Sequence, residues 1–167
     1  MTDTSAPGNP NPPQDPNGDK PAAPVMRVLG QYVKDLSFEN PGHAPVQSQP
    51  NIDLGIDVGA TPHADGNGLF EVSLKLSAKA MADSKVMFIS ELDYAGLFQL
   101  QNVAQEQLEP MLLIEAPRLL FPFARRIIAE ITREGGFPPL LIDPVDFVAL
   151  YQAQVRRANS AGTATQQ

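Results

Sequence analysis

The chain has 167 residues, with 19 acidic and 12 basic side chains and no cysteine. A net charge of −7 argues against a nucleic-acid-binding protein, because Lys and Arg must neutralise the phosphates. The lack of Cys excludes a disulfide scaffold, thiolate catalysis and a Cys-type zinc site. The longest apolar run has six residues, whereas a membrane-spanning helix needs roughly 20, so no membrane insertion is expected.

Composition divides the chain into three parts. Residues 1–24 contain seven of the 17 prolines and no Leu, Ile, Val, Phe or Tyr. Such a segment buries too little apolar area to offset its ordering entropy, which predicts a disordered N-terminal tail. Residues 25–157 hold the apolar periodicity and form the predicted domain. Residues 158–167 carry no charge and no large apolar side chain, and are predicted to be a second disordered tail.

The first predicted strand covers residues 25–39, with Gly30 as its expected bulge. Asp35 and Glu39 are four residues apart, so strand geometry places both carboxylates on one face if no further bulge intervenes. After Asn40-Pro41-Gly42, a crossover loop is predicted to run to about Gly68. Within it, apolar residues alternate with Asp and Gly; these are Ile52, Leu54, Ile56 and Val58. Two interpretations stay open for this ridge: a loop packed on its own sheet, or one wall of a groove for extended peptides.

Three further strands are predicted after the crossover. Residues 70–80 alternate strictly between apolar and polar side chains, which indicates a half-buried antiparallel strand. Residues 81–84 form the predicted hairpin loop, and residues 85–94 the return strand. That strand carries apolar Met87 and Ile89 on its second face. This predicts either that both faces of the strand are covered or that the second face binds a partner. A turn at Ala95-Gly96 is expected to begin a short fourth strand, residues 97–101.

Three helices complete the predicted α+β fold, with the helices packed on one face of the sheet. Residues 105–115 are expected to form a short helix that ends before Pro117. A longer helix is predicted from Arg118 to Glu134, with a stripe of Leu120, Ala124, Ile127 and Ile131. The last helix is predicted from Pro144 to about Arg157. The long helix is apolar around most of its circumference, so it must be covered on more than one side, which favours an oligomer of even-numbered symmetry.

The sequence offers no positive sign of catalysis or of a cofactor. His43 and His63 lie in the predicted crossover without metal-ligand spacing, and are interpreted as ordinary loop residues. Residues 35–74 contain six acids and no Lys or Arg. This acidic stretch is either a solvated face or a docking site for a basic partner, and the charge run alone leaves both open.

Several segments resemble the SecB family of bacterial protein-export chaperones. They are YVKDLSFENP at residues 32–41, FEV at 70–72, LLFPFAR at 119–125, GGFPP at 135–139 and DPVDF at 143–147. The resemblance covers residues 25–157 in order. It implies a four-stranded antiparallel sheet with a long crossover, assembled as a homotetramer that is a dimer of dimers, with helices between two sheets. It also implies a cytoplasmic chaperone without cofactor or catalysis, which holds unfolded precursor proteins and passes them to the SecA ATPase.

The resemblance also assigns roles to individual positions. The positions that match SecA contacts are Asp35, Glu39, Ile89 and Glu91. The positions that match the client groove are Leu54 and Ile56, with Tyr32 and Phe38 as further aromatic contributors or as core residues. The positions that match tetramer assembly are Ser90, Leu92 and Tyr94, to which the broadly apolar helix adds Leu120 and Ile127. The neutral C-terminal tail departs from members whose acidic tail helps to hold SecA.

Three other functions stay open from the sequence. A SecB-like chaperone of a toxin–antitoxin system would have the same fold and a different client. An enzyme that uses paired carboxylates has only generic acids in its favour. A passive oligomeric adaptor would bind folded partners and would not slow the refolding of a denatured protein.

Overall fold

The computed structural model describes residues 22–42 and 49–163. Its four strands are β1 (Val25–Glu39), β2 (Asn51–Pro62), β3 (Leu69–Ala82) and β4 (Lys85–Gln101). They form one antiparallel sheet in the order β1-β4-β3-β2, so β1 and β2 are its two edges. The helices pack on one side of this sheet, which confirms the predicted α+β class. The predicted N-terminal tail lies outside the described residues, except for residues 22–24.

The predicted crossover loop is wrong over residues 51–62, which form β2. This strand pairs with β3 along its whole length, from Asn51 opposite Met81 to Pro62 opposite Phe70. The apolar alternation is therefore that of a strand, and pairing with β3 satisfies one side of its backbone. Strand β1 ends at Glu39 on one edge of the sheet and β2 begins at Asn51 on the other edge.

The predicted turn at Ala95-Gly96 is also wrong, because β4 is continuous from Lys85 to Gln101. Ala95 pairs with Ser73 and Gly96 with Val72 in the middle of the sheet. The glycine is required by packing and not by a turn. A Cβ atom at Gly96 would lie 2.8 Å from Cδ2 of Leu120, closer than carbon atoms approach one another.

The hairpin between β3 and β4 is tighter than predicted. Asp83 and Ser84 both have positive φ, 50° and 63°, as a two-residue type I′ turn requires. The register shifts between Ala80 and Met81, close to this turn. Met87 is buried in a cluster with Phe88 on the helix side. Its predicted place on the opposite face is therefore wrong, and Ile89 alone of that pair stays there.

The helical region begins with α1 (Gln105–Pro110), a π-helical turn (Met111–Glu115) and α2 (Ala116–Glu134). The predicted break before Pro117 is wrong, since these three segments follow one another without interruption. The N–H of Ala116 bonds to the carbonyl of Met111, five residues back. This wider register immediately precedes Pro117, whose ring would clash with the carbonyl four residues earlier in a regular α-helix.

The last helix, α3 (Phe147–Thr163), starts and ends later than predicted. Asp146 caps it, because its Oδ1 accepts the N–H groups of Val148 and Ala149, both at 3.0 Å. Pro144 lies before the helix. The helix continues six residues beyond Arg157, into the range assigned by composition to the C-terminal tail.

The core lies between the helices and the two central strands. Val72, Leu74 and Leu76 of β3 pack with Leu120 and Ile128 of α2 in one buried cluster. The ring of Phe147 at the start of α3 meets Phe121 edge-on, with ring centroids 5.9 Å apart. The cluster buries one side of α2. Leu119 and Phe123 on its other side stay 44% and 45% exposed in the single chain.

The contact between α2 and β4 at Gly96 gives a direct test of this packing. We expect Gly96→Ala to lower the free energy of unfolding by about 1–3 kcal/mol, because the new methyl group must displace Leu120 or Phe98. Gly30→Ala is the matched control on β1, since nothing lies within 4 Å of its Cβ position. Urea denaturation measures both. Equal stability of the two variants would contradict this packing.

Candidate binding surfaces

The strand register assigns every side chain to one of two faces, because directly opposed residues share a face. One face carries the helices, and we call it the helix side. The other is the open face. Leu74 pairs with Tyr94 and Val58 on the helix side, whereas Lys75 pairs with Asp93 and Asp57 on the open face. Each face gathers a different set of the predicted functional residues.

The open face carries charge in stripes that run along the strands. The open-face side chains of β1 and β2 are acidic at these positions, and those of β3 are lysines. Strand β4 carries acids and one isoleucine. Two cross-strand rows contain them, Asp35–Asp93–Lys75–Asp57 and Glu39–Ile89–Lys79–Asp53. Because β1 and β4 are neighbours, their acids form a patch that the β3 lysines separate from the acids of β2.

The four residues that match SecA contacts are brought together on this patch. Glu39 lies directly opposite Ile89. Glu91 is two residues from Ile89 along β4, and it lies opposite Ser37, which is two residues from Glu39 along β1. The second bulge of β1 falls between Val33 and Asp35. It precedes Asp35, so Asp35 and Glu39 do share a face.

Asp93 is a further acid of the patch, which the sequence reasoning did not assign. It lies opposite Asp35, accepts a hydrogen bond from the Ser73 hydroxyl, and is 3.9 Å from the ammonium of Lys75. An open depression of about 500 Å3 adjoins this region and is lined by Asp35, Asp93 and Arg157, among other residues. The alternation of β4 alone could have identified Asp93, since it shares parity with Glu91.

Tyr32 lies on the open face, away from the predicted groove residues. It is opposite Ala95, whose small side chain lets Tyr32 and Lys34 reach across β4 to Glu71 on β3. The Lys34 ammonium is 2.6 Å from Glu71 Oε1, and the Tyr32 hydroxyl donates to Oε2. The hydrogen bond from Lys34, followed by that from Tyr32, lowers the pKa of Glu71. The same carboxylate raises the pKa values of Tyr32 and Lys34.

The groove residues of β2 lie on the helix side. Leu54 is 38% exposed and Ile56 is half-buried against the core. Ile52, two residues before Leu54 on the same face, is also exposed, whereas Met81 lies opposite Asn51 on the open face. The structure therefore leaves an apolar strip of Ile52, Leu54 and Ile56 along the β2 edge, of which the resemblance had named Leu54 and Ile56.

Phe38 occupies the opposite end of the same cross-strand row as Leu54. The row reads Leu54–Ala78–Ser90–Phe38, with small residues on the two central strands. Phe38 packs against Phe88, with ring centroids 5.6 Å apart, and against Phe137 in the connector that follows α2. Thr132 orients this connector, because its hydroxyl accepts the N–H of Leu140 and donates to the carbonyl of Ile128.

The helix side has two further depressions that were not predicted from the sequence. One, of about 350 Å3, lies between the far end of β2 and the helical segment that contains Leu108 and Leu112. The other, of about 380 Å3, lies between that segment and α3, next to Tyr151 and Val155. They share Leu113 and Glu109. Three segments distant in sequence build them, so no local pattern marks them.

The residues that match tetramer assembly lie on the helix side. Ser90, Leu92 and Leu120 are almost wholly buried within the single chain, and Ile127 is half-buried. Tyr94 stacks on the exposed ring of Phe123, with ring centroids 6.4 Å apart. Around them the chain leaves apolar side chains uncovered on β1 and α2, namely Val28, Val33, Leu36, Leu119 and Phe123.

Within residues 22–42 and 49–163 there is no cluster of three or more His, Asp or Glu side chains arranged to hold a metal ion. In the same residues, no helix combines the length and the apolar character needed to cross a membrane.

The Tyr32–Lys34–Glu71 contact gives a pH-dependent test. We expect Glu71→Gln to lower the free energy of unfolding by about 1 kcal/mol at pH 7. Since the folded pKa of Glu71 is lowered, this contribution is present above the unfolded value of about 4.3 and disappears as the pH falls through the folded value. Urea denaturation at several pH values measures it.

The control for this test is Glu134→Gln, which removes an exposed carboxylate beside Arg133. We expect that change to have little effect at any pH, because exposed ion pairs contribute little. A difference between Glu71→Gln and the parent that stays constant from pH 7 to pH 3 would contradict the assigned contact.

Comparison with known proteins identifies the family. The family model described as "Preprotein translocase subunit SecB" matches residues 19–158. The Protein-export protein SecB of Hyphomonas neptunium is 82% identical over 158 residues, which cover 95% of this chain and 93% of that protein. The Protein-export protein SecB of Maricaulis maris is 58% identical over 143 residues, covering 83% and 82% of the two chains.

A solved structure has the same fold. The SecB-like chaperone of Mycobacterium tuberculosis, solved in complex with an antitoxin peptide, superposes with a TM-score of 0.62 at 15% identity. The match covers 72% of this chain and 91% of that one. The family model spans the whole described sheet, the first two helices and α3 as far as residue 158, and with the relatives it shows that the chain belongs to the SecB family.

Proposed function

We propose that the chain is an export chaperone that binds unfolded precursor proteins in the cytoplasm without ATP and delivers them to the SecA ATPase. The relatives that are 50–82% identical bear the name Protein-export protein SecB, which supports an export role. No reaction is catalysed in this proposal, and no cofactor is needed.

The observation that carries client binding is the apolar strip along β2. Ile52 and Leu54 are 37% and 38% exposed on the helix side of this edge strand, where the helices of the chain do not cover them. Exposed apolar strips rimmed by polar residues are typical of interaction sites. The depressions beside Leu108, Leu113 and Tyr151 lie on the same side of the sheet, towards the other end of β2.

Holding an unfolded chain follows from binding alone. A protein that binds only the unfolded state of a precursor shifts its folding equilibrium by mass action, so no energy source is required. Several weak contacts with one long chain add by avidity. Selectivity then comes from folding rate, because slowly folding precursors expose apolar segments for longer.

We propose a homotetramer, a dimer of dimers, for the assembly. The uncovered apolar residues of β1 and α2 support it, since Val33, Leu36 and Phe123 would otherwise remain in water. Ser90, Leu92 and Leu120 are already enclosed by the chain, so they would act on assembly through the packing of α2 on the sheet. Tyr94 would act through its stacking on Phe123.

We propose that SecA docks on the acidic patch of the open face. Asp35, Glu39 and Glu91 would attract a basic partner, with Ile89 as an apolar contact between them. Complementary charge accelerates encounter and orients docking, and its effect decreases as the salt concentration rises.

The toxin–antitoxin alternative is not favoured. The chaperone solved with an antitoxin peptide shares only 15% identity with this chain, whereas the export proteins share 50–82%.

The client surface can be tested by making the β2 strip polar. We expect Leu54→Ser combined with Ile56→Ser to weaken capture of a denatured precursor by at least tenfold, because the change removes apolar contact area. Native mass spectrometry should show the same oligomer as in the parent. Val148→Ser is the matched control, since Val148 is similarly exposed on α3. Unchanged affinity of the double variant would rule out this strip as the client site.

The SecA surface can be tested by charge reversal. We expect Asp35→Lys combined with Glu91→Lys to abolish SecA binding and to spare capture of a denatured precursor. The control is Asp65→Lys with Asp143→Lys, an equal change in net charge at two exposed positions outside the patch. Titration calorimetry at low and high salt measures SecA binding. Equal losses in both double variants would indicate a non-specific charge effect, and loss of both activities would indicate misfolding.

A further inference from the structure

The end of helix α3 reaches past the β2 edge to the open face of the sheet. The helix begins on the helix side, where Phe147 is buried in the core. Two turns later, the side-chain amide of Gln154 donates to Asp57 Oδ1 at 2.9 Å and to the carbonyl of Val58 at 3.4 Å. Asp57 lies on the open face, so Gln154 ties the helix to that face as well as to the edge of β2.

One helical turn beyond Gln154, Arg157 lines the open-face depression that adjoins the acidic patch. The small residues Gly55 and Ser77 lie beneath this depression. Among the described residues that line it, Arg157 alone comes from outside the sheet. The acids around it are Asp35, Asp57, Glu91 and Asp93, and the second cation is Lys75.

We propose that the end of α3 is an autoinhibitory strap, residues 154–160, which holds Arg157 where a basic side chain of SecA binds on docking. This inference rests on the proposed docking of SecA on the acidic patch and adds a regulation of that site. Arg157 neutralises part of the patch before SecA arrives, so docking exchanges one cation for another. The affinity for SecA is therefore lower than the acids alone would give.

The strap can detach without disturbing the core. Gln154 and Val155 are half-buried, but residues 156–160 are exposed. The buried anchor of α3 is Phe147, at the opposite end of the helix. Single hydrogen bonds and exposed, screened charges are individually weak, so a basic partner displaces the strap at little cost.

Removal of the charge at position 157 tests the proposal. We expect Arg157→Gln to bind SecA roughly threefold more tightly than the parent by titration calorimetry, the size typical of an exposed charge pair. The conservative variant Arg157→Lys should stay within about 1.5-fold of the parent. The gain should shrink as the ionic strength rises from about 0.01 M to about 0.15 M, because the Debye length falls from about 30 Å to about 8 Å.

The neighbouring residue provides the matched control. Arg156 has the same charge and is equally exposed, but it lies outside the depression. We expect Arg156→Gln to change the affinity for SecA by less than about 1.5-fold. Equal gains from Arg156→Gln and Arg157→Gln would overturn the proposal, since net charge alone would then explain both.

Release of the strap without a change in charge tests the same device independently. We expect Gln154→Ala to tighten SecA binding by roughly twofold and to speed hydrogen exchange at residues 156–160 of the free protein. Gln152→Ala, at an exposed position one turn-half away on the same helix, should do neither. The double variant Gln154→Ala with Arg157→Gln should bind no more tightly than Arg157→Gln alone, because both changes remove one and the same obstacle.

The outcomes separate the two proposals. If SecA binds the parent and every variant equally, the strap is overturned and the docking site stands. Fully additive gains in the double variant would also overturn the strap. If SecA binds neither the parent nor Arg157→Gln, the proposed docking of SecA fails, and the strap fails with it.

Discussion

The widths of the sheet and of its covering helix determine which surfaces this chain leaves open. Four strands spaced about 4.8 Å apart place the edge strands about 14 Å from each other, whereas a helix with its side chains is about 10 Å wide. Helix α2 packs on the central strands β4 and β3, where the helix-side residues Val72, Leu74 and Leu76 of β3 are at most 1% exposed. The helix side of both edge strands consequently keeps apolar side chains exposed, on β1 as well as on β2.

The sequence predicted the parts of this structure that depend on local periodicity. The alternation in β3 identified that strand, and the four-residue spacing of Asp35 and Glu39 placed both acids on one face, since both bulges of β1 precede Asp35. The wrong predictions concern features of the sequence that are compatible with two different structures. Gly96 looked like a turn residue, but it makes room for Leu120. The β2 segment lies between proline residues and was therefore predicted to be a loop. It is a strand because it pairs with β3, which comes later in the chain.

The candidate sites were predictable only in part, for the same reason. Three of the four acids of the patch could be named in advance, because their spacing put Asp35 and Glu39 on one face and the resemblance to the SecB family implied Glu91. Tyr32 was expected near the client groove but lies on the open face, because its position is determined by the bulged register of β1 and by the small side chain of Ala95. The helix-side depressions depend on how α1, α3 and β2 meet, and no local pattern in the chain encodes that arrangement.

Strand β1 presents different chemistry on its two faces, with Val33 and Leu36 on one and Asp35 and Glu39 on the other. Side chains alternate with a period of two, so sliding β1 by a single residue along β4 would exchange the acidic and the apolar surfaces completely. The reach of Tyr32 and Lys34 over Ala95 to Glu71 opposes that slide, because no neighbouring register offers them the same carboxylate. A polar contact beside the acidic patch thereby helps to keep the acidic and the apolar side chains of β1 on opposite faces of the sheet.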